Sequence, residues 1–237
     1  QITIMNVLIV FDLPDWILAS IARNLKEHLG NNYRITTLGS HSRGFKWDLV
    51  RHQCKNDVVH FLSPWDFFKY SSYLFKPCVV MIWHMADWME FHRYKNKIDV
   101  LTTGSDEWLR RIRYESGWKG DLFRIPYGID TNQFTEINDA RDRFIHKYNL
   151  PHNSLIVGFA ASAWSNEFGR KGIDRVWDCI IEANSVLQVP VFLRMIGRHW
   201  NINSIPMRVR ENVIIELNIP SEDLPEYYSS LNCYLCA

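Results

Sequence analysis

Residues 6–38 are N-V-L-I-V-F-D-L-P-D-W-I-L-A-S-I-A-R-N-L-K-E-H-L-G-N-N-Y-R-I-T-T-L, and their hydrophobic pattern sets the fold class. Asn6–Phe11 is a near-continuous apolar run, the pattern of a strand covered on both faces rather than on one. In Asp15–Leu29 the period changes. Ile17, Ile21, Leu25 and Leu29 recur every four residues, with Leu18 and Ala22 widening the stripe, which predicts a helix that turns this face inward. Arg34–Leu38 is strand-like again. Two doubly covered strands joined through a helix make a parallel βαβ unit.

The alternation continues outward. Val58–Leu62, Cys78–Trp83, Asp99–Thr102 and Leu122–Ile125 bring the count to six strands. Ser105-Asp106-Glu107 supplies a cap and two carboxylates for a helix start, and Gly117 suits its end. A second series begins with a helix over Ala140–Tyr148 that Pro151 closes. Strand Leu155–Ala160 follows, then helix Lys171–Leu187, with Ile173, Val176, Trp177, Ile180 and Ile181 on one stripe. Val191–Ile196 and Val213–Glu216 are strands, and Glu222–Leu231 is a helix with Leu224, Tyr227, Tyr228 and Leu231 on one face. Cys233–Ala237 reads as a further strand. The fold class is α/β, with two Rossmann-like, doubly wound parallel sheets: residues 1–134, a linker 135–152, and residues 153–237. The last strand has no helix to cover it, so the second domain is expected to be incomplete and the chain to continue past Ala237.

Composition narrows the classes. A chain of 237 residues with 47% hydrophobic and 22% charged residues is globular, not disordered. Lys plus Arg number 27 against 26 Asp plus Glu, so no basic footprint points to nucleic acid and no polybasic tail to a membrane anchor. No apolar run approaches the ~20 residues of a span, and the N-terminus lacks the charged region and cleavage site of a signal peptide. The five cysteines form no disulfide framework and suit a reducing compartment, so the expectation is a cytoplasmic protein with at most peripheral membrane contact. Cys233 and Cys236 form a C-x-x-C, but on a strand they point to opposite faces and read as two small buried residues.

Ligands of open parallel sheets collect beyond the carboxyl ends of the strands. The first such loop, Asp12-Leu13-Pro14-Asp15-Trp16, has no glycine and therefore no dinucleotide fingerprint. The loop Trp83-His84-Met85-Ala86-Asp87 ends the fourth strand with a histidine able to donate to a hydroxyl or phosphate, or to be satisfied by backbone. His60 lies inside its strand and reads as structural. Thr103-Gly104-Ser105 is either an anion-binding turn or a plain helix cap. Arg110, Arg111 and Arg113 read as a solvated helix face. The long loop Ser162–Arg170 runs into Lys171-Gly172, where two cations and free helix-start N–H groups either suit a diphosphate or are plain surface charges at a helix start. There is no Walker motif.

The order of these features carries a resemblance. Arg124-Ile125-Pro126-Tyr127-Gly128-Ile129-Asp130-Thr131-Asn132-Gln133-Phe134 resembles the interdomain P-N-G-V-D-x-x-x-F of the retaining glycosyltransferases of family 4, which have the two-domain GT-B fold; Tyr127 replaces the usual Asn. Asp57-Val58-Val59-His60 is similar to the family's D-V-V-H, Lys171-Gly172-Ile173-Asp174 to its K-G-x-D, and Glu222–Tyr228 to the helix before its next strand. His84 matches the histidine ending the fourth strand, and Ser105 the serine opening the next helix. The resemblance implies two domains facing a cleft, the first taking the acceptor and the second a UDP- or GDP-sugar donor, with sugar transfer in which anomeric configuration is retained. It implies His84 at the transferred sugar as the catalytic residue, and Lys171, Arg170, Gly197, Ile219 and Ser105 on the donor. Asp12 and Trp16 would lie on the acceptor side, and acceptor specificity in the loops Asp12–Trp16 and Ser40–Trp47. It implies no cofactor and no metal. The acceptor would be a carbohydrate, lipid-linked or other molecule. The family's G-R-L arginine has no counterpart, since Ala160-Ala161-Ser162 stands there, and Arg198-His199-Trp200 departs from its Gly-x-Gly turn. Its E-x-x-x-x-x-x-E segment would fall beyond Ala237. The departures keep two other readings open, a non-catalytic GT-B-like binding protein and a GT-B sugar-nucleotide epimerase.

Overall fold

The computed structural model describes residues 4–14, 16–85, 87–163 and 171–236. The chain divides after Gly128 into two units.

The first unit is a six-stranded sheet of β1 (Asn6–Phe11), β2 (Arg34–Gly39), β3 (Val58–Phe61), β4 (Cys78–Met81), β5 (Val100–Thr103) and β6 (Asp121–Arg124). Every neighbouring pair is parallel, and the order is β2-β1-β3-β4-β5-β6. Register is set by pairs such as Val7↔Ile35 and Val7↔Val58. The helices are α1 (Ile17–Leu29), α2 (Phe45–Gln53), α3 (Pro64–Tyr70), α4 (Met89–Tyr94) and α5 (Asp106–Glu115). Alternate strand residues feed two cores. Leu8, Val10, Val59, Phe61 and Val80 pack with Phe67, Phe91 and Ile112, whereas Ile9, Leu62 and Met81 pack with Leu18 and Ala22 of α1.

The α1 stripe differs from the one expected. Leu18, Ala19 and Ala22 are buried, while Ile17 is 69% exposed and Leu29 38%. Each four-residue step overshoots the 3.6-residue turn, so a row spaced by four winds off the core face at both ends. The specificity loop expected over Ser40–Trp47 is also shorter, because Phe45–Trp47 belong to α2.

The second unit is a four-stranded parallel sheet of β7 (Leu155–Ala160), β8 (Val191–Gly197), β9 (Val213–Leu217) and β10 (Cys233–Tyr234), ordered β10-β7-β8-β9. Its helices are α6 (Ala140–Lys147), α7 (Ile173–Val186) and α8 (Leu224–Ser229). As the 3.6-residue period requires, α7 buries Ile173, Val176, Trp177 and Ile180, against Val157, Leu193 and Met195.

Three expectations need correction here. The stretch 135–152 is not a linker. Phe144 and Ile145 of α6 pack against Ile156 on the other sheet face, and the Arg141 guanidinium donates to Ser154 O at 2.6 Å. Second, Cys233 and Cys236 are exposed rather than buried, β10 pairing with β7 on one side only. Third, the apolar run of β8 contains a buried arginine. Arg194 pairs with Glu216 of β9 at 2.6 Å, lies over Phe144 at 4.2 Å, and donates to Ser230 Oγ. Glu216 also accepts from Lys147 Nζ at 2.7 Å and Tyr148 Oη at 2.8 Å. A buried charge persists only when so completely paired. Burial alone would raise the Glu216 carboxyl, but the bonds from Lys147 and Tyr148 and the Arg194 charge hold it below the usual range.

Candidate functional site

The functional residues expected from sequence sort into the carboxyl strand ends of the two units. In the second unit, Lys171 is half-buried just ahead of α7, and Gly172 takes φ 61° as its N-cap. The first turn's N–H groups and the helix dipole make this a place that favours an anion. Arg170 and most of the preceding loop, 164–170, lie outside the described residues.

β8 ends at Gly197, with φ 145°. A Cβ there would sit 1.7 Å from Ala161 O, so the strand end and the loop leaving β7 touch backbone to backbone. Two bonds pin that approach: Trp200 Nε1 donates to Ala161 O at 2.6 Å, and Ala163 N donates to Arg198 O at 2.8 Å. The Trp200 indole in turn stands edge-on to Trp177 of α7. The departure from Gly-x-Gly has a conformational answer. His199 adopts φ 64°, the left-handed backbone that a second glycine would supply. Asn218 does the same after β9, at φ 55°, and its N–H donates to Gly197 O at 3.2 Å. Ile219 is half-buried beside it. With Asn218, Pro220, Arg143, Lys147 and Glu226 it lines a cavity of about 960 Å³ between α6, β9 and α8.

In the first unit, His84 follows β4 inside an aromatic cluster. Its ring lies 5.9 Å from Trp83 and 6.1 Å from Trp108, and Trp88 lies 6.4 Å from Trp108. Trp83 Nε1 donates to Leu62 O at 3.2 Å, fixing that indole across the end of β3. Ser105 caps α5, its Oγ accepting from Trp108 N at 3.2 Å, which leaves the hydroxyl hydrogen free to be donated. Gly104 packs under Tyr127, whose ring would lie 2.8 Å from a Cβ at that position. Tyr127, the departure from the family's Asn, therefore covers this turn. Arg110 and Arg111 are engaged with Glu107 and Glu115 on the solvated α5 face.

Asp12 and half-buried Trp16 follow β1, the strand at which the order of the sheet reverses toward β3. Such switch points are where open α/β sheets leave a crevice. Burial raises the Asp12 carboxyl above its usual range; the nearby Asp66 charge adds to this, while the Leu13 N–H opposes it. Asp66 escaped the sequence reading. Ser63-Pro64-Trp65-Asp66 has the form of an N-cap with an acidic third residue, and Ser63 Oγ does accept from Asp66 N at 3.4 Å, so the pattern explains Asp66 as a cap and conceals its carboxyl. Among the described residues, no group of three His, Cys, Asp or Glu is placed to hold a metal, and no helix is long and apolar enough to cross a membrane.

No protein-family model matches the chain. A stretch of 148 residues, 60% of the chain, is 26% identical to a GDP-mannose-dependent α-(1-6)-phosphatidylinositol monomannoside mannosyltransferase of Mycolicibacterium smegmatis, of which it spans 37%. Among solved structures, sucrose-phosphate synthase of Thermosynechococcus elongatus superposes with a TM-score of 0.70 at 14% identity, over 98% of this chain and 75% of that one. Anabaena HepE in complex with UDP-glucose gives 0.68 at 11%, over 97% and 73%. UDP-N-acetylglucosamine 2-epimerase of Rickettsia bellii gives 0.58 at 13%, over 98% and 74%. These likenesses show the fold: the two units are the Rossmann-like domains of a GT-B protein.

Proposed function

We propose that the chain is part of a glycosyltransferase that moves a sugar from a nucleotide-sugar donor to an acceptor hydroxyl, with retention of configuration. The observation that carries this reading is the build of the second unit's strand ends. Backbone at Gly197, His199 and Asn218 turns at positive φ just after β8 and β9, and α7, headed by Lys171, starts beyond the carboxyl end of β7 in the same sheet. The match to a GDP-mannose-dependent enzyme supports the same reading.

The chemistry follows from charge. Breaking a sugar–phosphate bond leaves a diphosphate whose growing negative charge Lys171, Arg170 and the α7 N–H groups would stabilise. Gly197 would let the backbone approach the phosphates. Backbone at Ile219 would lie by the base, and Ser105 would serve as a further donor ligand. His84, steadied between Trp83 and Trp108, would hold the transferred sugar, while the acceptor would bind through Asp12 and Trp16. Neither cofactor nor metal enters this scheme, and its setting would be the cytoplasm.

The test is to incubate the full chain with GDP-mannose and with UDP-glucose. Release of GDP or UDP is followed, and the anomeric configuration of any transferred sugar is read by NMR. Release that requires an acceptor, with retained configuration, is expected. The epimerase likeness supplies the rival outcome: a changed sugar configuration with no acceptor and no nucleotide transfer product.

A further inference from the structure

Charge is spread unevenly along the chain. Residues 43–97 carry nine Lys and Arg against five Asp and Glu, although the whole chain is nearly neutral. The fold gathers several of these cations on one outer surface. Helix α2 turns Phe45, Leu49 and Gln53 inward, which leaves Lys46, Trp47 and Arg51 exposed on its outer face and Lys55 exposed just past its end. The turn Ser71–Tyr73 after α3 is tied to this helix. Gln53 Nε2 donates to Tyr73 O at 3.0 Å, Phe75 N donates to Gln53 Oε1 at 3.0 Å, and Lys46 Nζ lies 5.4 Å from the Tyr73 ring centre. The turn Lys95–Lys97 after α4 joins them, Lys97 Nζ donating to Ser71 O at 2.9 Å. The acids of the stretch are mostly engaged elsewhere. Asp66 is buried, Asp57 accepts from Asn6 N at 2.8 Å, Asp87 accepts from Met89 N at 2.9 Å, and Glu90 pairs with Arg93 at 3.3 Å. Asp48, the one acid on α2, is half-buried. Two large rings stand out among the cations: Trp47 is 81% exposed and Phe75 56%.

We propose that this face, α2 with the two turns beside it, docks on an anionic lipid bilayer. Charge complementarity selects the partner. Lys46, Arg51, Lys55 and Lys97 meet the negative headgroups, while the Trp47 and Phe75 rings enter the interface, where an apolar body with a wet rim is at home. A nucleic acid would also attract the cations, but it offers no apolar layer for an outward-pointing indole and phenyl ring, and the near-neutral chain exerts little long-range pull on a polyanion. The docking needs no donor or acceptor sugar, so it stands apart from the transferase reading. Because α2 starts beyond the carboxyl end of β2, Trp47 lies toward the strand ends that carry Asp12 and His84. A docked first unit therefore holds those loops near the lipid surface.

The experiment is co-sedimentation of the full chain with vesicles of phosphatidylcholine alone and of phosphatidylcholine with an equal part of phosphatidylserine. Binding to the mixed vesicles only is expected, and high salt should weaken it. Lys46→Gln with Arg51→Gln should weaken it about 10- to 30-fold, and Trp47→Ala about 10-fold. All three side chains are exposed, so the thermal unfolding midpoint should not move. The matched control is Arg23→Gln with Lys26→Gln, which removes the same charge from α1 on the opposite sheet face and should change nothing. No binding to mixed vesicles, equal binding to phosphatidylcholine alone, or binding unaffected by either test variant would overturn the proposal. So would an equal loss in the α1 control, which would reduce the effect to net charge. A single-stranded oligonucleotide that binds more tightly than the mixed vesicles, with the same dependence on Lys46, Arg51 and Trp47, would assign the face to nucleic acid instead.

Discussion

The two units share one architecture and differ at the same place. Both are parallel sheets with helices beyond the carboxyl ends of the strands, yet those ends carry opposite chemistry. In the first unit they present Asp12, Asp66 and the indoles of Trp16, Trp65 and Trp83. In the second they present Lys171, a helix start, and backbone at positive φ at Gly197, His199 and Asn218. Aromatic strand ends with buried carboxylates disfavour phosphate, whereas an amide-rich, cationic helix start favours it. Topology places both sites, and a handful of side chains decides what each holds.

The sharpest way to break this contrast is with glycines. Gly197→Ala puts a Cβ 1.7 Å from a backbone carbonyl at φ 145°, and neither can yield. A loss of about 4 kcal/mol or more is expected from urea unfolding of the second unit. Gly104→Ala in the first unit meets only the Tyr127 ring, at 2.8 Å, a side chain able to rotate away, so a far smaller loss is expected. Equal losses would mean that backbone approach does not distinguish the two strand ends.

Next comes the charge division. Lys171→Ala is expected to lower turnover by ~10²–10³ in the full chain, the typical effect of removing one preorganised group that stabilises developing charge. His84→Ala should impair transfer while leaving GDP or UDP affinity intact. Unchanged turnover in the first variant, or lost nucleotide affinity in the second, would dissolve the assignment of donor and acceptor to separate units.

Buried ionisable groups give a third contrast. In β3, burial pushes His60 down to about 4, and its Nε2 has no partner among the described residues. In β8 and β9, Arg194 and Glu216 are buried but paired. His60 is protonated in the unfolded chain below its ordinary value near 6.5 and resists protonation when folded, so the first unit loses stability as pH falls from about 6.5 to 4, by about 3 kcal/mol at most. Glu216 is held low, so its contribution is lost only below the ordinary carboxylate range. Hydrogen exchange should therefore show β3 loosening at pH 5 while β8 stays protected, and His60→Leu should flatten the difference. Earlier opening of β8 would contradict the contrast.

What the sequence made legible follows the same division between local and distant causes. Strand positions were readable because burial on both faces writes itself into consecutive residues: Asn6–Phe11 and Leu155–Ala160 have the observed bounds. Arg194 was not readable, because what permits it is Glu216, Ser230 and Phe144, each distant in sequence and adjacent only across the folded sheet. Asp66 was hidden differently: an acidic third residue after a Ser cap is an ordinary helix start, and nothing in it signals that the carboxyl is buried. His84, Ser105 and Asp12 fall in loops that the alternation put beyond carboxyl strand ends, and Lys171 at the helix start it predicted, whereas Gly197 and Ile219 were singled out by the family resemblance. Their partners, Ala161, Trp108 and Asp66, needed the structure.

The smallest expected effect separates two roles of one residue. Ser105 was read both as a helix cap and as a ligand of the donor, and its Oγ does cap α5 through Trp108 N. Ser105→Ala should cost about 1 kcal/mol of stability through the cap alone. Ser105→Asp keeps a capping oxygen at the helix start but replaces the free hydroxyl hydrogen with a negative charge. If Ser105 is only a cap, the Asp variant restores stability and leaves nucleotide-sugar affinity as in the unaltered protein. If the hydroxyl also donates to the diphosphate, the Asp variant is stable yet binds the nucleotide-sugar more weakly than the Ala variant does. That second outcome would sharpen the contrast between the units, because it would give the first, otherwise acidic, strand ends one group that serves the donor.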